Sequence, residues 1–250
     1  MSLMLKPVGI FRCARCDRYE VARQGVLMPE SQGVVHIYPP FEAALDGLDG
    51  FDRIWLIFVF HRNQPSSKLK VVPPRHRDKV GLFATRAPGR PNSVGMSCVR
   101  LLGVERGCLS VSQVDLLDET PILDIKPYLP YCDAFPNASS GWVPEPDCYH
   151  VSFSEDATAR IEWVQARTGY KLESYARVQL QEHPLDHRRK RIRCLHHEND
   201  EAHGELSFRH WRLRYRVMNR HVVVYGVSSE IPTDGVSDQH HLDFQLAFGT

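Results

Sequence analysis

From Leu5 to about Tyr128 the chain consists of short apolar runs broken by turn residues, with little helical periodicity, and that pattern predicts strands. The runs Pro7 to Phe11, Val34 to Tyr38, Ile54 to Phe60, Leu69 to Val72, Val80 to Ala84, Ser97 to Leu102 and Leu109 to Val114 read as seven strands, enough to close a barrel. Ile54 to Phe60 is apolar at every position, as expected of a strand covered on both faces. Glu105-Arg106-Gly107 predicts a hairpin tip, and Phe41 to Leu45 a short helix ahead of the loop Asp46 to Gly50.

The period changes after a stretch from Pro130 to Pro146 that is rich in Pro, Asn, Ser and Gly and has no apolar face; a domain boundary is expected there. Ser154 to Thr168 carries Ala157, Ile161 and Val164 at helical spacing with acids at its start and Gly169 as a C-terminal cap. A second helix is expected from Leu172 to about Glu182, stopped by Pro184. Trp211, Leu213, Tyr215 and Val217 alternate with Arg212, Arg214 and Arg216, the two-residue period of a strand with one apolar and one basic face, and Val222 to Tyr225 should pair with it. The expected fold is therefore mainly β: an antiparallel single-sheet barrel over residues 1–135, a smaller α+β domain over 146–235, and a tail at 236–250 that the pattern does not place.

Composition adds limits. A chain of 250 residues with 42% hydrophobic and 24% charged content is ordinary globular usage. The formal charge is only +1, so nucleic-acid binding would have to come from a local cluster of Lys and Arg. The N-terminus lacks the apolar core and cleavage site of a secretory signal, and no run approaches membrane-spanning length, so the expected setting is the cytosol, with no membrane partner. Seven scattered cysteines, an odd number, fit reduced thiols better than a disulfide framework.

Two polar stretches stand apart from the core pattern: VGLFATRAPGRPNSVGMS, Val80 to Ser97, and DLLDETPILDIKPYLPYCD, Asp115 to Asp133. They set Arg86, Arg90, Asn92, Asp118, Thr120, Asp124, Lys126 and Tyr128 among Pro and Gly, the composition of rigid polar turns where ligands bind. The chain has no glycine-rich turn between an early strand and a helix, so a nucleotide-like cofactor would need a different cradle from a doubly wound sheet. It has no nucleophile elbow either, which argues against a hydrolase. Cys13-Ala14-Arg15-Cys16 has metal-type spacing, with Cys194 and His196 or His197 as conceivable partners, but one such pair favours free thiols over zinc, and no metal is expected. His187 to Arg193 packs five cations into a short span, either a phosphate-binding run or a solvated surface countered by Glu182, Glu198, Asp200 and Glu201.

From KPVGIF at Lys6 through KPYLPYCD, and more weakly beyond, the wording resembles the TrmO family, also called TsaA-like or YaeB-like. Its early PRQ element corresponds to Ala22-Arg23-Gln24, with the proline replaced; its strand ending in a His pair corresponds to FVFHRN, giving His61 and Arg62. The FATR, RPN and GMS pieces give Arg86, Arg90-Pro91-Asn92 and Met96, and the DxxDGTP piece gives Asp118-Glu119-Thr120-Pro121, with Glu119 where glycine is usual. The resemblance implies a β-barrel that binds S-adenosylmethionine through Ala22, Arg23, Gln24, His61, Arg62, Arg86, Met96, Asp118, Glu119, Thr120 and Pro121. It implies methylation at N6 of threonylcarbamoyladenosine beside the tRNA anticodon, by a homodimer, with tRNA carrying that modification as partner. Methyl transfer is an in-line displacement that needs alignment and exclusion of water and no enzyme nucleophile. A base for the acceptor nitrogen is not identified; Asp124, Tyr128 and His61 are candidates by residue type. The competing expectation is a barrel that holds a nucleotide or RNA without turning it over.

Overall fold

The computed structural model describes residues 4–14, 21, 24–29, 31–63, 66–73, 76, 78–143, 149–182, 184–186, 191–198, 200–230 and 239–249. They form two compact units, residues 1–144 and 145–250.

In the first unit β1 (Gly9–Arg12), β2 (Gln32–Ile37), β3 (Arg53–Val59), β6 (Val94–Glu105), β7 (Cys108–Ser112) and β8 (Thr120–Pro127) close a barrel in the order β1-β2-β7-β6-β3-β8, every pair antiparallel. Alternation along β3 sends Ile54, Leu56 and Phe58 inward to meet Phe11, Val35, Val99, Leu109, Val111 and Ile122. The Arg106-Gly107 hairpin closes β6 and β7, both residues in the left-handed region at φ 48° and 74°. The expected helix at Phe41 to Leu45 is a 3-10 turn over Pro39–Leu45.

The sixth barrel strand differs from the sequence expectation. Leu69 to Val72 and Val80 to Ala84 do not join the barrel: β4 (Lys70–Val71) and β5 (Val80–Gly81) pair only with each other, and Leu82–Ala84 is a 3-10 turn. The barrel is completed by β8, in the proline-punctuated stretch that reads as rigid turn. Pro121 and Pro127 sit near the ends of β8, where a missing N–H costs least, and Ile122 fills the interior between them. β3 is also not covered on both faces, since Arg53, Trp55, Ile57 and Val59 look outward and are only half buried. After β8, α1 (Pro130–Asp133) makes one turn.

In the second unit β9 (His150–Phe153), α2 (Glu155–Thr168) and α3 (Leu172–Leu180) precede the meander β10 (Ile192–Glu198), β11 (Glu201–Phe208), β12 (Trp211–Met218) and β13 (His221–Ser229). The sheet order is β10-β11-β12-β13-β9, with only β13 and β9 parallel. α2 begins as its sequence predicts, with the Ser154 hydroxyl accepting from the Ala157 N–H at 3.1 Å, and ends on Gly169 at φ 72°. Ala157, Ile161 and Val164 of α2 and Leu172, Tyr175, Ala176 and Leu180 of α3 pack on Leu206, Leu213, Tyr215, Val222 and Val224 of one sheet face. The tail is not a loose end: α4 (Gln239–Phe248) buries Phe244 edge-on against Trp211 and Trp163, at ring separations of 5.0 and 5.4 Å. β9, β10 and β11, short or polar on their outer face, have no counterpart in the periodicity argument.

Ser154→Ala removes the cap of α2 and should destabilise the protein by about 1 kcal/mol, read as a lower urea midpoint with an unchanged slope.

Candidate functional site

Of the polar residues singled out by sequence, His61, Asp118, Glu119 and Thr120 gather where β1, β3 and β8 meet. The segment Gln113–Glu119, which feeds β8, is bracketed by two left-handed residues, Gln113 at φ 57° and Glu119 at φ 65°. Between them Val114 and Leu116 plug the barrel interior. Polar contacts hold the segment, among them the buried Ser31 hydroxyl donating to the Val114 carbonyl at 2.5 Å, the Ser97 hydroxyl to Asp115 Oδ1 at 2.5 Å, and the Glu119 N–H to the Phe11 carbonyl at 2.9 Å. A non-glycine residue in the left-handed region costs about 1 kcal/mol or more, so this turn is kept in shape by its surroundings.

Arg12, which the sequence gives no reason to single out, ties down the acids. Its Nη1 donates to Glu119 Oε1 at 2.9 Å and lies 3.6 Å from Asp118 Oδ2, while Asp118 Oδ1 accepts the Cys13 N–H at 3.0 Å. The hydrogen bond to Glu119 raises the Arg12 guanidinium above its ordinary value, so it stays charged throughout. The left-handed backbone of Glu119 is the geometry glycine usually supplies, and the salt bridge to Arg12 accompanies the substitution here.

His61 follows β3 at the same rim. Its Nδ1 is 3.5 Å from the Thr120 hydroxyl, which itself donates to the Leu117 carbonyl at 2.7 Å, and its Nε2 accepts from Arg62 Nε at 3.3 Å. Donor and acceptor roles along this chain agree only if His61 is neutral and carries its proton on Nδ1. Burial, and next the Arg62 charge, lower the His61 pKa below the usual 6.5, in accord with that assignment.

A second pair joins two separate motif pieces: Arg86 Nη1 donates to Gln24 Oε1. Gln24 is fixed because Gly25 abuts the backbone of Gln113; a Cβ on Gly25 would fall 1.8 Å from the Gln113 oxygen. Arg90 has a structural task, its Nη1 reaching the carbonyls of Leu82, Thr85 and Ala87 at 3.5, 3.0 and 3.4 Å and so shaping the loop that carries Arg86. Met96 stands apart, on the outer barrel face opposite Ile57 and 62% exposed. Ala22 and Arg23 lie outside the described residues. Of the base candidates, Asp124 is bound by Lys126 at 2.9 Å and Tyr128 packs beside Trp55 at 5.9 Å, so only His61 shares the rim with Asp118 and Thr120. A shallow, acid-lined depression at Glu42, Asp46 and Asp49 lies by the Arg106-Gly107 hairpin, at the other end of β6.

In the second unit the basic face of β12 is countered by glutamates of β11 and by Glu230, just past β13. Arg212 pairs with Glu230, Arg214 with Glu205 at 3.7 Å and Arg216 with Glu201 at 3.3 Å. His187 to Lys190 of the basic run, and Cys16 of the Cys pair, lie outside the described residues. Cys13 Sγ is 3.8 Å from the Leu116 carbonyl and Cys194 Sγ 3.6 Å from the Leu185 carbonyl, and among the described residues no three His, Cys, Asp or Glu side chains are grouped to hold a metal. No helix among them is long and apolar enough to cross a membrane.

A closed antiparallel barrel with a polar rim of arginine, acid, threonine and histidine belongs to a class unrelated to the doubly wound sheets. Residues 10–134 match the model of the tRNA-methyltransferase O N-terminal domain, and the chain belongs to the tRNA-methyltransferase O family. The tRNA (adenine(37)-N6)-methyltransferase of Escherichia coli is 34% identical over 170 residues, a match that takes in 64% of this chain and 72% of that protein. RcsF of Pseudomonas aeruginosa, whose name describes an S-adenosylmethionine-dependent methyltransferase, is 43% identical over 151 residues, 58% of this chain and 65% of its own length, just under two thirds. The crystal structure of TrmO from Pseudomonas aeruginosa superposes with a TM-score of 0.65 at 30% identity, over 92% of this chain and 98% of that one.

Because the folded protein resists protonation of His61, the unfolded state takes up that proton at higher pH, and stability should fall as pH drops through about 6.5. His61→Asn should flatten this part of the profile, and the His61 imidazole signals should titrate below 6.5 by NMR.

Proposed function

We propose that this chain is an S-adenosylmethionine-dependent methyltransferase acting on N6 of threonylcarbamoyladenosine at tRNA position 37. The observation that carries the reading is that motif residues far apart in sequence are paired in the fold, His61 with Thr120 at the barrel rim and Arg86 with Gln24, in a chain of the tRNA-methyltransferase O family. The names of its relatives support both the donor and the tRNA substrate. Residues 1–135 form the donor-binding domain in this reading, and residues 146–235 contribute tRNA contacts through the basic run ending at Arg193.

The rim chemistry suits the donor. Arg86 offers a guanidinium for a carboxylate, Asp118 an anion for an ammonium or a ribose hydroxyl, and the backbone at Thr120 and Pro121 a fixed donor and acceptor for an adenine edge. His61 and Arg62, and Glu119 held by Arg12, complete the described set. S-adenosylmethionine supplies an electrophilic methyl group, and its transfer needs no covalent enzyme intermediate. The protein's work is to align the acceptor nitrogen and to exclude water. The N6 proton of a threonylcarbamoyladenosine, flanked by a purine and a carbonyl, is acidic enough for a modest base, and His61 takes it at Nε2 as Arg62 Nε gives way. The homodimer and the cytosolic setting belong to the same reading; Leu69, Val72 and Phe83 are exposed apolar groups that a second copy would cover.

Methyl transfer should be seen with tRNA from cells that make threonylcarbamoyladenosine and not with tRNA from cells that lack it. Arg86→Ala should weaken donor binding by about tenfold or more by calorimetry, the loss of one charge-assisted contact. Unchanged affinity removes Arg86 from the site, and donor binding without transfer to modified tRNA leaves only a binding barrel.

A further inference from the structure

The outward face of β8, β3 and β6 carries a feature that neither the fold nor the rim requires. Arg53 on β3 is directly opposite Arg100 on β6, and one step along the same face Trp55 is opposite Lys126 of β8 on one side and Cys98 of β6 on the other. Like charges directly opposite one another weaken a strand pair, and a protein ordinarily offsets them with a carboxylate. Here Arg53 donates to the neutral Gln113 Oε1 at 2.7 Å, and neither Arg53 nor Arg100 has a carboxylate partner among the described residues. The contrast with β12 is informative, because each of Arg212, Arg214 and Arg216 there has its glutamate.

Beside the two arginines is a fixed aromatic pair. Trp55 Nε1 donates to Asp133 Oδ2 at 3.1 Å, the same oxygen accepts the Leu129 N–H at 2.9 Å, and these contacts lower the Asp133 pKa so that it remains an acceptor. The Tyr128 ring lies 5.9 Å from the indole, tilted by 52°. Asp133, bound to the indole, keeps its charge, and Asp124 is paired with Lys126 at 2.9 Å; against these two carboxylates stand Arg53, Arg100 and Lys126, so the surplus charge is positive. Cys98 remains a thiol, its pKa raised by burial, and adds no negative charge.

We propose that this outer face, centred on Arg53, Arg100 and Trp55, is an RNA-binding surface: the arginines take backbone phosphates, and the Trp55–Tyr128 pair takes an unpaired base by stacking. Aromatic faces next to uncompensated cations are the chemistry of single-stranded RNA recognition. The proposal rests on the reading of the protein as a tRNA methyltransferase and names where the barrel itself grips the tRNA. Gln113 links the two places, since it partners Arg53 here and supports Gly25, next to the Gln24–Arg86 pair, at the donor site.

The test is binding of a labelled tRNA transcript by the full chain across a range of salt concentrations, with wild type and R53S/R100S. The double variant should bind about tenfold or more weakly, and the plot of log affinity against log salt should flatten by about 1.4 to 1.8, two phosphate contacts' worth. Trp55→Ala should weaken binding further and Trp55→Phe restore it; equal melting temperatures exclude misfolding, and the arginine variants stand alone if Trp55→Ala fails to fold. Wild-type affinity and salt slope in R53S/R100S overturn the proposal. So does an altered sedimentation coefficient in that variant, with or without loss of RNA affinity, because the face would then be a contact between copies. Donor affinity is measured on the same samples: wild-type protein that binds tRNA through this face but takes up no S-adenosylmethionine contradicts the methyltransferase reading and leaves this one standing.

Discussion

The insertion of β8 between β1 and β3 is the constraint on which the rest of the barrel depends. Its registers, Phe11 with Thr120 on one side and Trp55 with Lys126 on the other, close the sheet and leave no exposed edge. The same pairing fixes the functional geometry twice. Inward and at its start, it brings Thr120 to His61 and presents Asp118 and Glu119 to Arg12; outward, it sets Lys126 and Tyr128 beside Trp55. A one-residue slip would exchange the two faces, burying Lys126 and expelling Ile122, so the apolar interior enforces the position of the polar rim.

Charge compensation separates structural cations from available ones. Arg90 spends its guanidinium on three loop carbonyls, Arg12 on two acids, and the arginines of β12 on glutamates of neighbouring strands. The basic stripe of β12, conspicuous in the sequence, is therefore largely neutral in the fold, whereas Arg53 and Arg100, unremarkable in sequence, stand opposite each other on two strands with no counter-charge among the described residues. Net charge could not reveal this, because +1 over 250 residues averages the two situations.

What was legible in the sequence follows the same physics. α2 announced itself because its apolar period, its Ser154 cap and its Gly169 stop agree, and the Arg106-Gly107 hairpin because a tight turn demands left-handed residues. The motif pieces around His61, Arg86 and Asp118 pointed to the rim, although their contacts, His61 with Thr120 and Arg86 with Gln24, span 59 and 62 residues of sequence and no local pattern encodes them. β8 was hidden because two prolines and two charges mask a strand whose stability comes from its neighbours, and Leu69 to Val72 misled because a short apolar run does not reveal whether it is long enough to span a barrel. Arg12 left no signal, being a single cation after an apolar strand. α4 was unplaced for a similar reason, since its anchor, Phe244 in the angle of Trp211 and Trp163, exists only in three dimensions.

In the proposed function the barrel rim, and not the acid-lined depression at the far end of β6, holds the methyl donor. A crystal structure with S-adenosylhomocysteine, the demethylated product, tests it most directly. The product should bind at the rim, in contact with Arg86 and the Asp118-Glu119-Thr120-Pro121 turn and with its sulfur on the side of His61. Density for the product at Glu42, Asp46 and Asp49, or anywhere that leaves the Asp118 to Pro121 turn untouched, would contradict it.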